Sequence, residues 1–505
     1  MARVAFCQDV MVEYMGFMCM SAVLKQAGHD VEIFIDDSAS AERFNDELKA
    51  FRPDVVAFSI LSPSMPWAVQ VAQRIKADLD VVTVFGNVHV MLAPEESIAK
   101  PGVDIICTGE GEHALLELCN ALDAGEDYTS IRGFWIKQPG GEIIRNPMRE
   151  EMVDMDAMPY IDRAMYNKHF FFRHSRYVRI LTGRGCPFRC SFCSNPVLTD
   201  HYGGPKRYFR KRSPQTAVDE IKDVISKQPG KVDMVFFVDE VLWIKNDWLR
   251  EFLPLYKEQI GLPFFGNFRF GAIQEADVKL LAECGAYMMA VAIESGSEEQ
   301  RKGVMNKPVS NAHILEVTGW MRKYGINYAS SAFFGMPGDT VQDHVDRLAF
   351  YRQAKPFYLW TTFFQPYPGL RLTAQEDVQS HLPQDREFKA TLHHDMYLDL
   401  PDRQRLVNLK KVYFYMMVFP ALEKPLLWLT QFKLPLVFDV IFLTHFIYYA
   451  LRVEHVSLLQ FLFHVKTMCL NPLLRKRQTL QHIGRPYTPP DAKEPAKERE
   501  RSEAA

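Results

Sequence analysis

The chain has 505 residues, which is too long for one ordinary domain and predicts two or three domains, each with its own core. Its formal net charge of −3 argues against nucleic acid as a partner, and its hydrophobic content of 48% excludes a largely disordered protein. The first residues, MARVAFCQDVMVEYMGF, lack the pattern of a secretory signal, so we expect a cytoplasmic protein. In a reducing compartment, clustered cysteines bind metal more readily than they form disulfides.

Short apolar runs alternate with amphipathic stretches at the front of the chain. The runs are 2–6, 31–35, 54–60, 81–85 and 103–107. Apolar strands interleaved with helices predict a parallel sheet covered on both faces, here a doubly wound, flavodoxin-like α/β domain over residues 1–130. Ligands of such domains bind at the carboxyl ends of the strands, and the absence of Gly-x-Gly-x-x-Gly after the first run argues against a dinucleotide.

Residues 131–176 are predicted to form a hairpin and a linker. The hairpin, IRGFWIKQPGGEIIR, would turn at its Pro-Gly-Gly sequence. A second alternating series then occupies residues 177–375. Its apolar runs are 177–182, 233–238, 263–268, 287–293, 327–334 and 358–364. Six strand–helix units predict a partial (β/α)6 barrel, whose chemistry lies at the carboxyl ends of the strands.

Three cysteines follow the first barrel strand in the sequence GRGCPFRCSFCSNP. Cys186, Cys190 and Cys193 lie within eight positions, whereas the rest of the nine cysteines are scattered singly. A structural zinc site normally takes four protein ligands, and 4Fe–4S clusters are ordinarily held by four cysteines. A triplet therefore leaves one metal position open to a substrate or cofactor, unless a distant His or Cys completes a zinc site.

The spacing of this triplet, with Phe192 directly before the third cysteine, resembles the signature of the radical S-adenosylmethionine enzymes. The resemblance implies that Cys186, Cys190 and Cys193 hold a 4Fe–4S cluster and that the open iron binds S-adenosylmethionine, with Phe192 beside it. It also implies an electron donor, such as flavodoxin or ferredoxin, that reduces the cluster.

Motifs at the ends of other predicted strands resemble the contacts of this family to S-adenosylmethionine. Asp239 and Glu240 end VFFVDE, where the family places polar groups near the amino group. Glu294 and Ser295 in AIESGSEE resemble the strand end that contacts the ribose and carboxylate, and Gly335 begins a turn, GMPGDT, like the one beside the adenine. Taken alone, the first pair fits a helix cap and the last motif fits a plain turn equally well.

A flavodoxin-like domain directly before such a barrel resembles the cobalamin-binding subclass of the family, over roughly residues 1–375. GNVHVMLAPEE resembles the Gly-x-x-His loop of the subclass, with Asn87 where a second Gly is common, and TGEGEHALLEL resembles its Gly-Glu-Gly helix start. The motif Asp-x-His-x-x-Gly is absent, because Met11 stands two residues after Asp9. The resemblance therefore implies cobalamin without a protein His on cobalt. The expected cobalamin contacts are Gln8, Ser62, Gly86, His89 and Gly109.

The resemblance also implies a reaction on a small-molecule substrate. In this family a 5′-deoxyadenosyl radical removes hydrogen from an unactivated carbon, and methylcobalamin can methylate the substrate radical, so we expect a methyltransferase. The alternative is an oxidative cyclase of the magnesium-protoporphyrin ester cyclase type, which shares the motifs. A non-catalytic cobalamin or iron–sulfur sensor is a more distant alternative. Arg269, which ends the third barrel strand, could bind a carboxylate or the substrate, or form a surface salt bridge.

The C-terminal region, residues 376–483, is predicted to be helical, and the polar tail at 484–505 is predicted to be disordered. Residues 434–451 approach the length of a membrane span, but Asp439 and His445 disfavour one, because a charged group near the bilayer centre costs at least about 2.5 kcal/mol. Two interpretations remain: a helical cap on the barrel, or an interfacial region at the inner face of the membrane that admits a lipid, an isoprenoid or a porphyrin-like pigment. The residues suited to headgroup level are Lys410, Lys411, Trp428, Tyr448, Tyr449 and the basic run 475–477.

Overall fold

The computed structural model describes residues 1–36, 41–150, 152–242, 246–271, 273–383, 396–453 and 461–462. Its described part contains two large, mostly parallel sheets followed by a group of helices. The predicted tail at 484–505 and the basic run at 475–477 lie outside the described residues.

Seven strands form the first sheet. They are β1 Arg3–Gln8, β2 Asp30–Ile35, β3 Val55–Ser59, β4 Val82–Gly86, β5 Ile105–Cys107, β6 Phe134–Lys137 and β7 Ile143–Arg145. The order is β2-β1-β3-β4-β5-β6-β7, and the first five are parallel in the flavodoxin arrangement, which confirms the predicted fold class. The hairpin expected as part of a separate connector is β6–β7, and it extends this sheet as two antiparallel edge strands.

Helices cover both faces of the first sheet. They are α1 Met15–Gln26, α2 Ala41–Phe51, α3 Met65–Asp78, α4 Val88–Leu92, α5 Pro94–Ala99 and α6 Gly111–Ala124. Successive residues of a strand point to opposite faces, so Val4 and Phe6 pack in the cluster that contains α1 and α6, while Ala5 and Cys7 pack with α2 and α3. The α1–α6 cluster continues into the core of the second sheet, so the two sheets share one apolar core.

The second sheet has six parallel strands, as predicted for a partial barrel. They are β8 Tyr177–Ile180, β11 Met234–Phe237, β12 Phe264–Phe268, β13 Ala286–Val291, β14 Asn327–Phe334 and β15 Tyr358–Phe363. They pair in chain order from β8 to β15. The cysteine loop is held by a short antiparallel pair, β9 Gly183–Arg184 and β10 Arg210–Lys211.

Helices accompany the barrel strands. They are α7 Phe170–Arg173, α8 Asn195–His201, α9 Pro205–Tyr208, α10 Pro214–Lys227, α11 Asn246–Gln259, α12 Glu275–Glu283, α13 Glu298–Gly303, α14 Asn311–Lys323 and α15 Val341–Ala354. Their starts follow capping rules: Thr340 and Asp343 form a reciprocal capping box at α15, and Ser310 caps α14.

The C-terminal helices cover the last strand of the barrel, which confirms the predicted helical region. They are α16 Glu376–Ser380, α17 Arg403–Val418, α18 Glu423–Leu429 and α19 Pro435–Arg452. Helix α17 packs against β15, α15 and α19. By length and composition α19 is the one described helix that could cross a membrane.

Candidate active site between the two sheets

The loop after β8 brings the three predicted cluster ligands together. Cys186 and Cys190 are buried and Cys193 is half-buried. Burial, which has the largest effect, and the neighbouring thiols of Cys193 and Cys190 raise the pKa of Cys186 to about 11. The loop depends on Gly185, whose φ is +83° and where a Cβ would lie 2.7 Å from the carbonyl oxygen of Tyr208.

The donor set of this loop fits a 4Fe–4S cluster better than a single metal ion. Among the residues that the structure describes, no three His, Cys, Asp or Glu side chains are close enough together to hold a single metal ion. A cluster requires less convergence of its ligands than a single ion does, because each thiolate binds a different iron. Three neighbouring thiols, two of which have hydrogen-bond donors beside their sulfurs, meet this requirement of a 4Fe–4S cluster.

Arg269 and Asn195 supply these donors. Arg269 Nη1 donates to Cys190 Sγ at 2.9 Å, and its guanidinium lies 3.9 Å from the centre of the Phe188 ring. The backbone and side-chain nitrogens of Asn195 each lie 3.5 Å from Cys193 Sγ. The contact with Cys190 is therefore neither the carboxylate contact nor the surface salt bridge considered from the sequence.

The two acidic residues after β11 have different environments. Asp239 is buried and accepts hydrogen bonds from Thr182 Oγ1 at 2.7 Å and Lys211 Nζ at 3.0 Å, which ties the strand ends together. Glu240 is exposed to a cavity inside the protein, where burial raises its pKa and the neighbouring Asp239 raises it further. Glu240 is thus the member of the pair that faces a ligand space.

Glu294 is held rigidly in a strained backbone conformation. Its φ is +69°, a left-handed value that costs a residue with a side chain about 1–3 kcal/mol and is typical of functional sites. Lys307 Nζ donates to one carboxylate oxygen at 3.1 Å, and Ser331 Oγ donates to the other at 2.5 Å. Its neighbour Ser295 stabilises the next turn by accepting from Ser297 N at 3.1 Å.

Phe192 connects the cysteine loop to the barrel wall, and Gly335 follows the end of β14. The ring of Phe192 packs edge-on against Phe333 of β14, with the ring centres 4.9 Å apart. Gly335 has a φ of +69°, and a Cβ there would collide with the side chain of Met396. A larger residue at 335 is therefore excluded both by its backbone and by its neighbour.

A cavity of about 320 Å³ lies between the carboxyl edge of the first sheet and the cysteine loop. On the first-sheet side several small residues border it, among larger apolar side chains such as Tyr14, Phe17 and Phe58. The small residues include Gly16, Ser59, Gly86, Gly109 and Gly111. On the barrel side it is bordered by Arg184, Gly185, Tyr202, Tyr208 and Glu240. The small residues leave room for a bulky group to approach the backbone, and of the described residues that line the cavity none is a His.

The five predicted cobalamin contacts divide into three groups. Gly86 and Gly109 line the cavity between the sheets. Ser62 Oγ and His89 Nδ1 hydrogen-bond to each other at 2.8 Å and line a second cavity of about 610 Å³, which lies beside the segment after β15. Gln8 lines neither cavity, because its amide donates to the carbonyls of Val10 and Val12 and accepts from Tyr166.

Sequence reasoning missed two residues at this edge. Asn87 Nδ2 donates to Ser59 Oγ at 2.8 Å, and both residues line the first cavity. Asn87 also has a left-handed φ of +79°. Their position in the sequence could have indicated them, because each residue lies at or just after the carboxyl end of a parallel strand.

Buried charges fix the first domain to the cysteine loop. Arg184 Nη1 lies 2.7 Å from Glu110 Oε1, and its other terminal nitrogen pairs with Glu112. Arg210 also pairs with Glu110. Although burial raises the pKa of Glu110, Arg184 and Arg210 hold it below its usual range. The acidic residues of the Gly-Glu-Gly-Glu sequence thus contact the strand that directly precedes Gly185 and Cys186.

Comparisons with known proteins agree with this division of the chain. Residues 9–119 match the B12 binding domain family, and residues 180–350 match the Radical SAM superfamily. An uncharacterized methyltransferase of Pyrococcus horikoshii is 26% identical over 364 residues, which cover 71% of this chain and 77% of the relative. The anaerobic magnesium-protoporphyrin IX monomethyl ester cyclase of Rubrivivax gelatinosus is also 26% identical, over 69% of this chain and 63% of the relative.

A hopanoid C-3 methylase of Methylococcus capsulatus is 26% identical over 63% of this chain and 60% of its own length. Among solved structures, the radical S-adenosylmethionine methyltransferase TsrM of Kitasatospora setae, with cobalamin and a 4Fe–4S cluster bound, aligns with a TM-score of 0.61 at 18% identity. That alignment covers 74% of each chain. OxsB with aqua-cobalamin and S-adenosylmethionine aligns with a TM-score of 0.57 at 19% identity, over 70% of this chain and 52% of OxsB. At these identities the structures show a shared fold.

Proposed function

We propose that this chain, a radical S-adenosylmethionine enzyme with a B12-binding domain in front of its barrel, transfers a methyl group to a carbon atom of a small, apolar substrate. The observation that carries the proposal is the shared cavity. The carboxyl edge of the first sheet, with Gly86 and Gly109, borders the same space as Arg184 and Gly185, which directly precede Cys186. Glu240 also lines this space. Two cofactors bound at these two places would therefore act on one substrate.

Each cofactor has residues that would hold it. Cys186, Cys190 and Cys193 would bind the 4Fe–4S cluster, with Arg269 and Asn195 donating hydrogen bonds to the sulfurs. When bound, the cluster and S-adenosylmethionine supply a carbon radical, and cobalamin supplies a transferable methyl group. The role of the protein is to hold the reacting carbon in position and to exclude water.

Side chains around the cysteine loop suit the positioning of S-adenosylmethionine. Glu294 presents a carboxylate that Lys307 and Ser331 orient, and Phe192 lies one residue before Cys193. Glu240 is the carboxyl group with a raised pKa in the shared cavity, so it retains a proton more readily than an ordinary Glu. We infer that it hydrogen-bonds to a ligand there instead of forming an ion pair within the protein.

Cobalamin would be held mainly by backbone at the carboxyl edge of the first sheet. Gly86, Gly109 and Gly111 allow close approach, while Ser59 and Asn87 offer hydrogen-bonding groups. We infer that cobalt has no protein His ligand, because the Asp-x-His-x-x-Gly motif is absent from the first domain. Electron paramagnetic resonance of the cob(II)alamin form tests this, because an axial nitrogen would split the cobalt hyperfine lines.

Methyl transfer is favoured by the relatives, several of which are named as methyltransferases or methylases. An oxidative cyclase is the second candidate, because the cyclase of Rubrivivax gelatinosus aligns about as well as the first of these relatives. The two reactions differ in their products: a methyltransferase adds one carbon to its substrate, whereas an oxidative cyclase closes a ring and adds no carbon. Comparing lipids and metabolites of a deletion strain with those of its parent would distinguish them.

The deciding experiment uses anaerobically reconstituted protein with a reductant and S-adenosylmethionine. We expect one 4Fe–4S cluster per chain and formation of 5′-deoxyadenosine. Alanine at Cys186, Cys190 or Cys193 should abolish both, whereas the matched control Cys284→Ala should not. Cys284 directly follows α12 and precedes β13, so it lies at the amino edge of the barrel strands, opposite the edge that carries the cysteine loop. Stoichiometric zinc, or a cluster that survives the triple substitution, would contradict the proposal. Cluster-loaded protein that forms no 5′-deoxyadenosine would support a sensor instead.

We infer a cytoplasmic enzyme that receives electrons from a flavodoxin or ferredoxin, since the cysteine triplet needs a reducing compartment. The test is reconstitution of S-adenosylmethionine cleavage with a flavodoxin and its reductase in place of a chemical reductant. An absence of turnover with both flavodoxin and ferredoxin would rule this inference out.

A further inference from the structure

Exposed apolar side chains are concentrated in one part of the chain. Of the fifteen large hydrophobic residues that are exposed in the described structure, eleven lie between residues 418 and 462. Six of them come from α18, from the start of α19 and from the turn between these helices, and we call them the apolar face. They are Trp428, Phe432, Leu434, Leu436, Val437 and Val440. Leu436 is 75% exposed and Trp428 is 60% exposed, so this surface is open to solvent and not a shallow part of the core.

Helix α19 lies along the protein surface. Its residues Phe438, His445 and Ala450 are buried, and the His445 ring stacks 4.5 Å from Phe414 of α17 and 4.8 Å from Tyr358 of β15. A transmembrane orientation would break this packing, whereas an orientation parallel to a membrane keeps it and places the opposite side of the helix in contact with lipid. Helices with one packed side and one apolar exposed side are typical of interfacial binding.

The charges beside the apolar face are unbalanced. Glu423 pairs with Arg352 at 2.6 Å, and Asp439 pairs with Lys411 at 2.6 Å, so the acidic groups of this region are neutralised. Lys424 and Lys433 are exposed, and no described carboxylate pairs with either of them. The surface is therefore apolar and positively charged at the same time.

We propose that the apolar face binds an anionic lipid bilayer. Exposed lysines beside apolar and aromatic side chains match the negative headgroups and the acyl region of such a membrane. A second copy of this chain is a poorer match, because two-fold pairing of the face would bring lysines of both copies together. The proposal does not depend on which reaction the enzyme catalyses, but it agrees with an apolar substrate that partitions into membranes.

The first test is co-sedimentation of the full chain with vesicles of phosphatidylcholine containing phosphatidylglycerol. The triple variant Trp428→Ser, Leu436→Ser, Val440→Ser should bind these vesicles at least about tenfold more weakly, since each residue loses apolar area that lipid would bury. The matched control is Leu61→Ser with Phe170→Ser, which removes side chains of 38% and 39% exposure elsewhere on the surface. This control should bind like the original protein.

Charge is tested with Lys424→Glu and Lys433→Glu. The double variant should lose binding to anionic vesicles, and the original protein should bind them less at high salt. Equal binding of the original protein to neutral and anionic vesicles would overturn the proposal, as would equal losses in the triple variant and its control. Formation of 5′-deoxyadenosine by each variant, measured without vesicles, reports on the proposed reaction separately and should be unchanged.

A second measurement shows whether something else covers the face. An environment-sensitive fluorophore on Leu436→Cys should report water in the free protein and an apolar medium when anionic vesicles are added. Fluorescence that is already apolar without vesicles would mean that another part of the chain or a second copy covers the face, and the proposal would fail. Light scattering on the same sample would identify the second copy.

Discussion

Arg269 Nη1 donates a hydrogen bond to Cys190 Sγ at 2.9 Å, and the Phe188 ring lies under the same guanidinium. Arg269 directly follows β12, so a barrel strand fixes its position beside the cysteine loop. Hydrogen bonds and positive charge near the sulfur ligands stabilise the more negative, reduced form of an iron–sulfur cluster. The contact therefore links the barrel wall to the reduction potential of the proposed cluster.

Replacing Arg269 by Gln should make the potential of the reconstituted cluster more negative. We expect a shift of roughly 50 mV or more, which is close to a tenfold change in a one-electron equilibrium. A redox titration followed by electron paramagnetic resonance measures it, with iron content as a check that the cluster is retained. Arg250→Gln is the matched control, because Arg250 is half-exposed and pairs with Asp277 on α12. An unchanged reduction potential in Arg269→Gln would contradict the prediction that Arg269 stabilises the reduced cluster.

The ion pairs between the two domains should be essential for their packing. Arg184→Gln leaves Glu110 and Glu112 with less compensation in a largely buried site, which typically costs about 3–5 kcal/mol. We expect faster hydrogen exchange at the start of α6 and in the cysteine loop. Arg149→Gln, which breaks a more exposed pair with Glu117, should leave both segments unchanged.

Asp339 should contribute strongly to the stability of the turn after β14. Its carboxylate accepts hydrogen bonds from Met336 N at 3.0 Å, Gln300 Nε2 at 3.0 Å and Arg347 Nη1 at 2.8 Å, and it lies 3.2 Å from His344 Nε2. Burial raises the pKa of Asp339, but His344 and Arg347 outweigh burial and bring it to about 2. This lowered pKa corresponds to about 2 kcal/mol of stability.

A carboxyl group whose pKa is lowered by folding stabilises the folded state above its unfolded pKa and loses this effect as the pH falls. Asp339→Asn should therefore destabilise α15 at neutral pH, and its difference from the original protein should shrink as the pH falls from about 4 towards about 2. Hydrogen exchange of α15 is the appropriate measurement, because a chain with two domains need not unfold in one step. Asp346→Asn, an exposed position on the same helix, should behave like the original protein. A constant difference across this pH range would contradict the prediction.

The packing of α19 should weaken in mild acid. Burial, which has the largest effect, and Lys410 of α17 together lower the pKa of His445 to about 3. In the part of the chain that the structure describes, the rings of Tyr358 and Tyr415 also lie near His445, with ring centres 4.8 Å and 6.3 Å away. A His that is neutral when packed but protonates when released loses stabilisation as the pH falls below about 6.5, its ordinary pKa.

Limited proteolysis of α19 between about pH 8 and about pH 5 tests this dependence, which rests on the ordinary His pKa. Cleavage should increase towards low pH in the original protein. It should vary much less in His445→Phe, which keeps an aromatic ring without the titration. His313→Phe, at a partly exposed His on α14, should keep the original dependence. If His445→Phe keeps the same pH dependence of cleavage, another group is responsible for it.

The positions of the strands and the location of the cysteine triplet could be predicted from the sequence. All five apolar runs of the first domain and all six of the barrel coincide with observed strands, because a strand buried on both faces must be apolar whatever its neighbours are. The cysteine triplet could also be recognised from the sequence, because its three cysteines lie within eight positions and need no distant residue. The predicted roles of these cysteines and of the strand-end residues remain predictions.

The contacts between distant side chains could not be predicted from the sequence, because they depend on how the elements pack in three dimensions. The hairpin at 131–145 was predicted, but its pairing with β5 depends on strand order, which a local pattern does not contain. Ser62 and His89 line a different cavity from Gly86 and Gly109, although all four lie at or shortly after the ends of strands. The contacts of Arg269 with Cys190 and of Glu110 with Arg184 join residues more than seventy positions apart. Hydrophobic periodicity reports how deeply a residue is buried, whereas the partner of a buried polar group is set by the packing of distant segments.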